Sequence, residues 1–383
     1  MSVVGRETRL RWAAVAAGVA LLVTAVSQWP VAARLVADAI GNDGPSPTPR
    51  ELLSRALRSG DIPHQGVAEA RGSLGFPDLR DLGDAAGLLG HTTRSRVWWS
   101  SREAWRVDTV TATGEQDAYG LGGDVVLWDY ERNLVTGIAG EPSIRLPRTD
   151  DLLPPQLVRR LAGGIGRNDQ VIRLPRRSVA GELADGIRIV PGDPRSTVAR
   201  FDIWMTRSGL PLQAEVVDHR GITAVASRYV DVSLSPPPRT VLVPPNAPGA
   251  RRELTTEPDL VTRVALLDQW VMPTKLIGYG SSTSLVGAPT YGTGLARFVV
   301  IPLPYRITDR AIGDAFHAGA KLKRIAVGNN AALVALVPAG VLNAVIMRGS
   351  DATRTFVIVG SLTLDTLTQA AKGLLANPPA ERA

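Results

Sequence analysis

The 383-residue sequence predicts an exported α+β protein, an open, curved antiparallel sheet with helices followed by a second, smaller α+β domain. Three observations lead there. Short period-two stretches rich in Val, Trp, Tyr and Thr fill most of residues 66–234 around one helix-like segment. A proline-rich tract follows them, and an apolar run with arginines at its head opens the chain.

That run is Leu10 to Trp29, with Arg6, Arg9 and Arg11 at its N-terminal end. At helical rise it covers about 30 Å, one hydrocarbon core. The arginines place its N-terminus in the cytoplasm and the bulk of the chain outside. Ala25 and Ser27 resemble a signal-peptidase site, so a cleaved signal is the competing reading. The spanning length and the bordering tryptophans favour a retained anchor. Residues 1–30 are thus a signal anchor or signal peptide, and 31–50 a flexible spacer ending in GNDGPSPTPR.

Composition excludes several function classes. Without a cysteine there is no disulfide framework, thiolate metal site, thiol nucleophile or lipidated N-terminal cysteine. His64, His91, His219 and His317 are far apart in sequence and form no metal-binding spacing; each is expected on the surface or in a turn. The formal charge of +7 comes from arginines interleaved with acids, so no nucleic-acid partner is expected. No cofactor is expected either.

The domain at 51–235 opens with a short amphipathic helix, Glu51 to Arg58. A meander follows, with strands near Gly66–Leu74, Thr92–Ser100, Ala104–Thr111, Gln116–Leu121 and Asp124–Tyr130. Glu131, Arg132 and Asn133 turn the last of these into a hairpin reaching Ile138. Pro154 and Pro155 start a helix through Leu157, Val158 and Leu161, and Gly163 and Gly164 stop it. Strands resume at Ser178–Val190, Thr197–Thr206, Leu212–Asp218 and Thr223–Leu234, with a turn at Ser208 and Gly209. Residues 236–252 are a proline-rich linker. The domain at 253–377 is read as a helix at Asp259–Trp270, strands at Ala296–Pro302, Ala331–Val337, Leu342–Met347 and Arg354–Val359, and an amphipathic helix at Leu364–Leu375 capped by Thr363 or Asp365. Residues 378–383 are a tail.

A search for catalytic patterns returns no G-x-S-x-G, H-E-x-x-H, P-loop or G-x-G-x-x-G, and the chain is read as non-enzymatic. Asp150 and Asp151 suit the N-terminal end of the helix that follows them better than acid/base work. The Gly- and Ser-rich tract Gly278 to Gly294 reads as a surface loop. Trp98, Trp99, Trp105, Trp128 and Trp204 all fall on expected strands of the first domain, whose apolar face must be covered by something. Strand parity offers Trp105, Val107, Val125, Leu127, Phe201, Ile203, Leu212 and Val216 as the lining of a space for acyl chains, against the alternative that each is ordinary core.

The order of these pieces resembles the superfamily of lipoprotein carriers (LolA) and sigma-factor regulatory proteins (MucB/RseB). Trp128 and Asn133 within Leu127–Thr136 carry the likeness, as do Gly209 to Leu212 within Phe201–Val216. The resemblance covers about residues 50 to 235. It implies a half-barrel of antiparallel strands closed by helices over a hydrophobic cavity. It also implies a lipid or acylated ligand and, for the regulatory branch with its second domain, restraint of a membrane anti-sigma factor. A lipid or lipoprotein carrier of the LolA type is the alternative.

Overall fold

The computed structural model describes residues 46–72, 92–111, 114–140, 148–246, 248–256, 270–283, 289–303, 305–317, 319–350 and 355–381. The Leu10–Trp29 run lies outside them, and no helix among the described residues is long and apolar enough to cross a membrane. Pro49–Ala383 forms one compact unit. It opens with α1 (Pro49–Leu57), whose Leu52, Leu53 and Ala56 are buried.

Six strands then meander: β1 (His64–Gly72), β2 (Thr92–Ser101), β3 (Ala104–Thr111), β4 (Gly114–Leu121), β5 (Asp124–Asp129) and β6 (Leu134–Ala139). The β5–β6 turn closes as expected, with Asn133 at φ 47° and the Arg132 amide donating to Asp129 Oδ1 at 2.9 Å. Helix α2 (Pro154–Ala162) begins on its two prolines and ends at Gly163. A second meander follows: β7 (Gln170–Val179), β8 (Glu182–Val190), β9 (Val198–Met205), β10 (Pro211–Asp218) and β11 (Thr223–Ser233). Because β1 pairs with both β2 and β11, the two meanders form one sheet. With β12 (Arg251–Thr256), which joins β6 in parallel, it has twelve strands in the order β12-β6-β5-β4-β3-β2-β1-β11-β10-β9-β8-β7.

The second sheet has eight strands, ordered β14-β15-β16-β17-β21-β20-β19-β18. They are β14 (Lys275–Leu276), β15 (Tyr279–Thr283), β16 (Thr290–Thr293), β17 (Ala296–Pro302), β18 (Lys321–Val327), β19 (Asn330–Ala339), β20 (Leu342–Gly349) and β21 (Thr355–Gly360). Helices α3 (Tyr305–His317) and α4 (Leu364–Ala376) pack against it. Thr363 caps α4, its hydroxyl accepting from the Thr366 amide at 3.3 Å. Two short strands, β13 (Trp270–Val271) and β22 (Ala380–Glu381), pair with each other.

The architecture is mostly β, and it departs from the expectations at several points. The single strand expected over Ser178–Val190 is a hairpin, β7 turning into β8 at Ala180 and Gly181 with φ of 50° and 83°. The rest of β7 was hidden by Pro175 and three arginines, which do not read as a strand. The Gly278–Gly294 loop contains β15 and β16. Helix α3 and strand β18 had no expected counterpart; β18 is an edge strand whose first four residues, three of them cationic, are all exposed. The helix expected at Asp259–Trp270 lies outside the described residues except for Trp270, which begins β13. The proline-rich tract is pinned at both ends of its course. Its one-turn helix Arg239–Leu242 packs on β3 with Leu242 buried, and β12 adds to the sheet edge.

The two sheets meet along a seam. The Thr197 amide donates to Ser361 O and the Thr363 amide to Arg195 O, each at 3.0 Å. Side chains add Ser196 Oγ to Leu295 O at 2.7 Å and Thr197 Oγ1 to Val341 O at 2.5 Å. Leu295 and Val341 also belong to the apolar cluster that α1 and α2 form on β8–β10.

Candidate functional site

The register of β2 to β6 sets Trp99, Trp105, Gly120, Val125 and Ile138 in one cross-strand row, and Val97, Val107, Ala118, Leu127 and Thr136 in the next row on the same face. On that face the rings of Trp99 and Trp105 stack at 5.5 Å and 7°. His64 stacks on Trp99 at 6.2 Å, and Tyr229 meets His64 edge-on at 5.4 Å.

His64 is buried, contrary to the expected surface or turn position. Its Nδ1 lies 2.8 Å from the Ile62 carbonyl, which only accepts, so Nδ1 carries the hydrogen. Nε2 therefore accepts from the Tyr229 hydroxyl at 2.6 Å. Burial lowers His64 to about 4, which keeps the ring neutral, and raises Tyr229. Trp99 Nε1 donates to Gly60 O at 2.7 Å.

At the end of this stack Trp99, Trp105 and Val125 form one wall of a small pocket of about 50 Å³. Helix α2 contributes Gln156, Arg159 and Arg160, and Arg102, Arg148, Asp124 and Asp150 complete it. The acids before α2 hold the arginines in place: Arg148 Nε donates to Asp150 at 3.2 Å, and Arg160 pairs with Asp151 at 2.5 Å. Gln156, only 3 % exposed, turns toward this pocket from α2. Guanidinium and amide donors beside indole faces suit an anionic group attached to an apolar chain.

Of the expected lining residues, Trp105, Val107, Val125, Leu127 and Leu212 come together in the cluster around Trp99 and Tyr229, Leu127 only half-buried. Phe201, Ile203 and Val216 pack in a different cluster, under α1 and α2. Only Trp105 and Val125 reach the pocket. Trp98 and Trp128 pair in register with Arg106 and Asp117, on the face opposite Trp99 and Trp105.

That opposite face holds a charged cluster which no sequence pattern announced. Asp108 and Asp117 are direct cross-strand neighbours, both buried. Arg106 grips Asp108 at 2.6 and 2.8 Å and Asp117 at 2.9 Å, and the Tyr119 hydroxyl donates to Asp117 at 3.2 Å. Burial, then the neighbouring Asp108 carboxylate, pushes Asp117 up to about 7 despite Arg106. Asp108, Glu115 and Asp117 are close enough together to hold a divalent cation, but Arg106 and Arg96 already neutralise them. The His64–Tyr229 pair was equally hidden, its partners being 165 residues apart.

No family model and no curated protein matches the sequence. Among solved structures, the Pseudomonas aeruginosa MucA/MucB complex is similar over 87 % of this chain and 99 % of that one, at 16 % identity and a TM-score of 0.44. MucB alone matches over 85 % and 96 %, at 16 % identity and 0.39. A LolA superfamily protein from Nitrosomonas europaea matches over 52 % of this chain and 99 % of that chain, at 14 % identity and 0.24.

Proposed function

We propose that the chain is an extracytoplasmic, non-enzymatic binding protein of the MucB/RseB type, which senses an acylated or lipid ligand and regulates a membrane partner such as an anti-sigma factor. The observation that carries this reading is the pocket where the stacked Trp99 and Trp105 meet the arginines and the buried Gln156. An acyl chain would lie along the indoles and its polar end would enter among the guanidiniums. The arginine-headed apolar run supports an extracytoplasmic position for the pocket. The test is native mass spectrometry and lipid extraction of the purified chain, with crosslinking in cells. A co-purifying acyl compound, lost in Gln156→Leu, is expected together with a crosslinked membrane protein. Absence of any lipid, with no binding of a fluorescent palmitoyl probe, sinks the reading.

A further inference from the structure

On the face opposite the stacked tryptophans, the hydrogen bonds around the Asp108–Asp117 pair do not close. Arg106 donates to both oxygens of Asp108 and to one of Asp117, which also accepts from the Tyr119 hydroxyl. The other oxygen, Asp117 Oδ1, is buried and accepts from nothing. Trp128, the cross-strand neighbour of Asp117 on β5, likewise leaves its Nε1 buried without a partner. An ionised oxygen with no donor is costly away from water, and water admitted here would satisfy both atoms.

The charges point the same way. Arg96 pairs with Glu115 and lies 3.8 Å from Asp108, so β2 to β4 bring two guanidiniums, Arg96 and Arg106, to three carboxylates. The set balances only while one carboxyl keeps its proton, and burial, then the Asp108 carboxylate, holds Asp117 protonated up to about 7. The proline-rich tract crosses this region. Its one-turn helix Arg239–Leu242 packs on β3, with Pro237 and Leu242 buried and Arg239 exposed. Pro244 and Pro245 then wall a pocket of about 450 Å³ floored by Val126, the cross-strand neighbour of Tyr119, and rimmed by Arg252 and Glu253 of β12.

We infer that the Asp108–Asp117 pair is a proton-operated catch on the proline-rich tract: with the proton in place the tract lies closed on β3, and loss of the proton lifts residues 237–246 from the sheet and admits water to the pair. The catch lies on the face away from the acyl pocket and is independent of it. In the open form a hydrated Asp117 returns toward 3.8, so opening releases a proton; it grows by up to about tenfold per pH unit below 7 and then levels off. The chain has no cysteine, so a single introduced thiol reports the opening. In the full chain in detergent, Leu242→Cys is labelled with dithiodipyridine from pH 5 to pH 8, relative to the exposed Val243→Cys, with and without Asp117→Asn. The labelling ratio should rise about tenfold or more between pH 5 and pH 7, level off above, and stay flat with Asp117→Asn, while far-ultraviolet circular dichroism is unchanged. Should Leu242→Cys itself free the tract and be labelled like Val243→Cys throughout, protease nicking of the otherwise unsubstituted tract decides, read as the rate in the parent over that in Asp117→Asn at each pH; the same rise to pH 7 supports the catch. A profile shared by both backgrounds, a flat nicking ratio, or a rise seen only with loss of the circular dichroism signal would each overturn it.

Discussion

The indole of Trp105 occupies the space where its cross-strand neighbour Gly120 would carry a side chain. The same relation recurs in the other meander, where Trp204 lies against its neighbour Gly186. A tryptophan spread over a strand glycine covers backbone that glycine leaves bare, and the missing Cβ fixes where the ring lies. At Trp105 this positions the ring that stacks on Trp99 and lines the arginine-rimmed pocket.

Gly120→Ala should therefore displace a packed indole. The overpacking cost is about 1–3 kcal/mol, seen as a lower thermal midpoint together with a changed near-ultraviolet circular dichroism from the stacked tryptophans. A variant with both signals unchanged would show that the stack is not held by Gly120.

His64 makes stability sensitive to acid. Its folded value, about 4, lies below the ordinary imidazole value of 6.5. Between those values the unfolded chain binds a proton that the folded chain does not, so stability is complete above pH 6.5 and falls as pH drops through 4. The slope contributed by this one site is at most about 1.4 kcal/mol per pH unit. Urea midpoints measured from pH 7 to pH 4 should show this component in the parent and lose it in His64→Gln. The same slope in the variant would assign the acid sensitivity to other groups.

Asp117 acts in the opposite sense. Its folded value is raised from 3.8 to about 7, so the stability it contributes is full below 3.8 and is lost as pH rises through 7. Asp117→Asn keeps a neutral side chain beside Asp108 at every pH, and should flatten the decline in thermal midpoint between about pH 4 and pH 7. A decline as steep as in the parent would contradict a raised Asp117 carboxyl.

The seam bears on how the chain comes apart. Val243 is 63 % exposed within the proline-rich tract and is a natural site for nicking. Cleavage between about residues 243 and 250 should give two fragments that co-elute on gel filtration, because Ser196, Thr197 and Arg195 hold the second sheet and Leu295 and Val341 sit in the first sheet's core. Separate elution would mean that each sheet is stable without the other.

What the sequence showed and what it hid follow from the range of the interactions involved. The β5–β6 and β9–β10 hairpins were legible because their turns are written locally, in Asn133 and in Gly209, whose φ of 99° few other residues adopt and whose missing Cβ lets Arg55 of α1 approach. Helix α2 was legible from its prolines and glycines. Strand β7 was not, because its arginines serve Asp185 on the neighbouring strand and give it no apolar alternation. Parity identified the apolar face of Trp105 and Val107 correctly, but it carries no information on which helix covers which strand. Phe201 and Ile203 were therefore grouped with residues that pack in a different cluster. The arginine-rimmed pocket needs Arg102, Arg148 and Arg159 to converge from three segments, which no local spacing records.

The difference between those clusters can be measured with two enlargements. Ile203 is fully buried among Phe201, Ala214 and the α1 and α2 side chains, so Ile203→Phe should strain close packing by about 1–3 kcal/mol and leave acyl-probe affinity unchanged in the protein that remains folded. Leu127 is only partly buried, at the edge of the cluster that carries Trp99 and Trp105. Leu127→Phe has room toward solvent and should cost little stability, while altering palmitoyl-probe binding if the acyl chain runs from the arginine rim along this face. Equal loss of stability in both variants with no change in binding would assign the whole face to packed core and leave the pocket without an apolar extension.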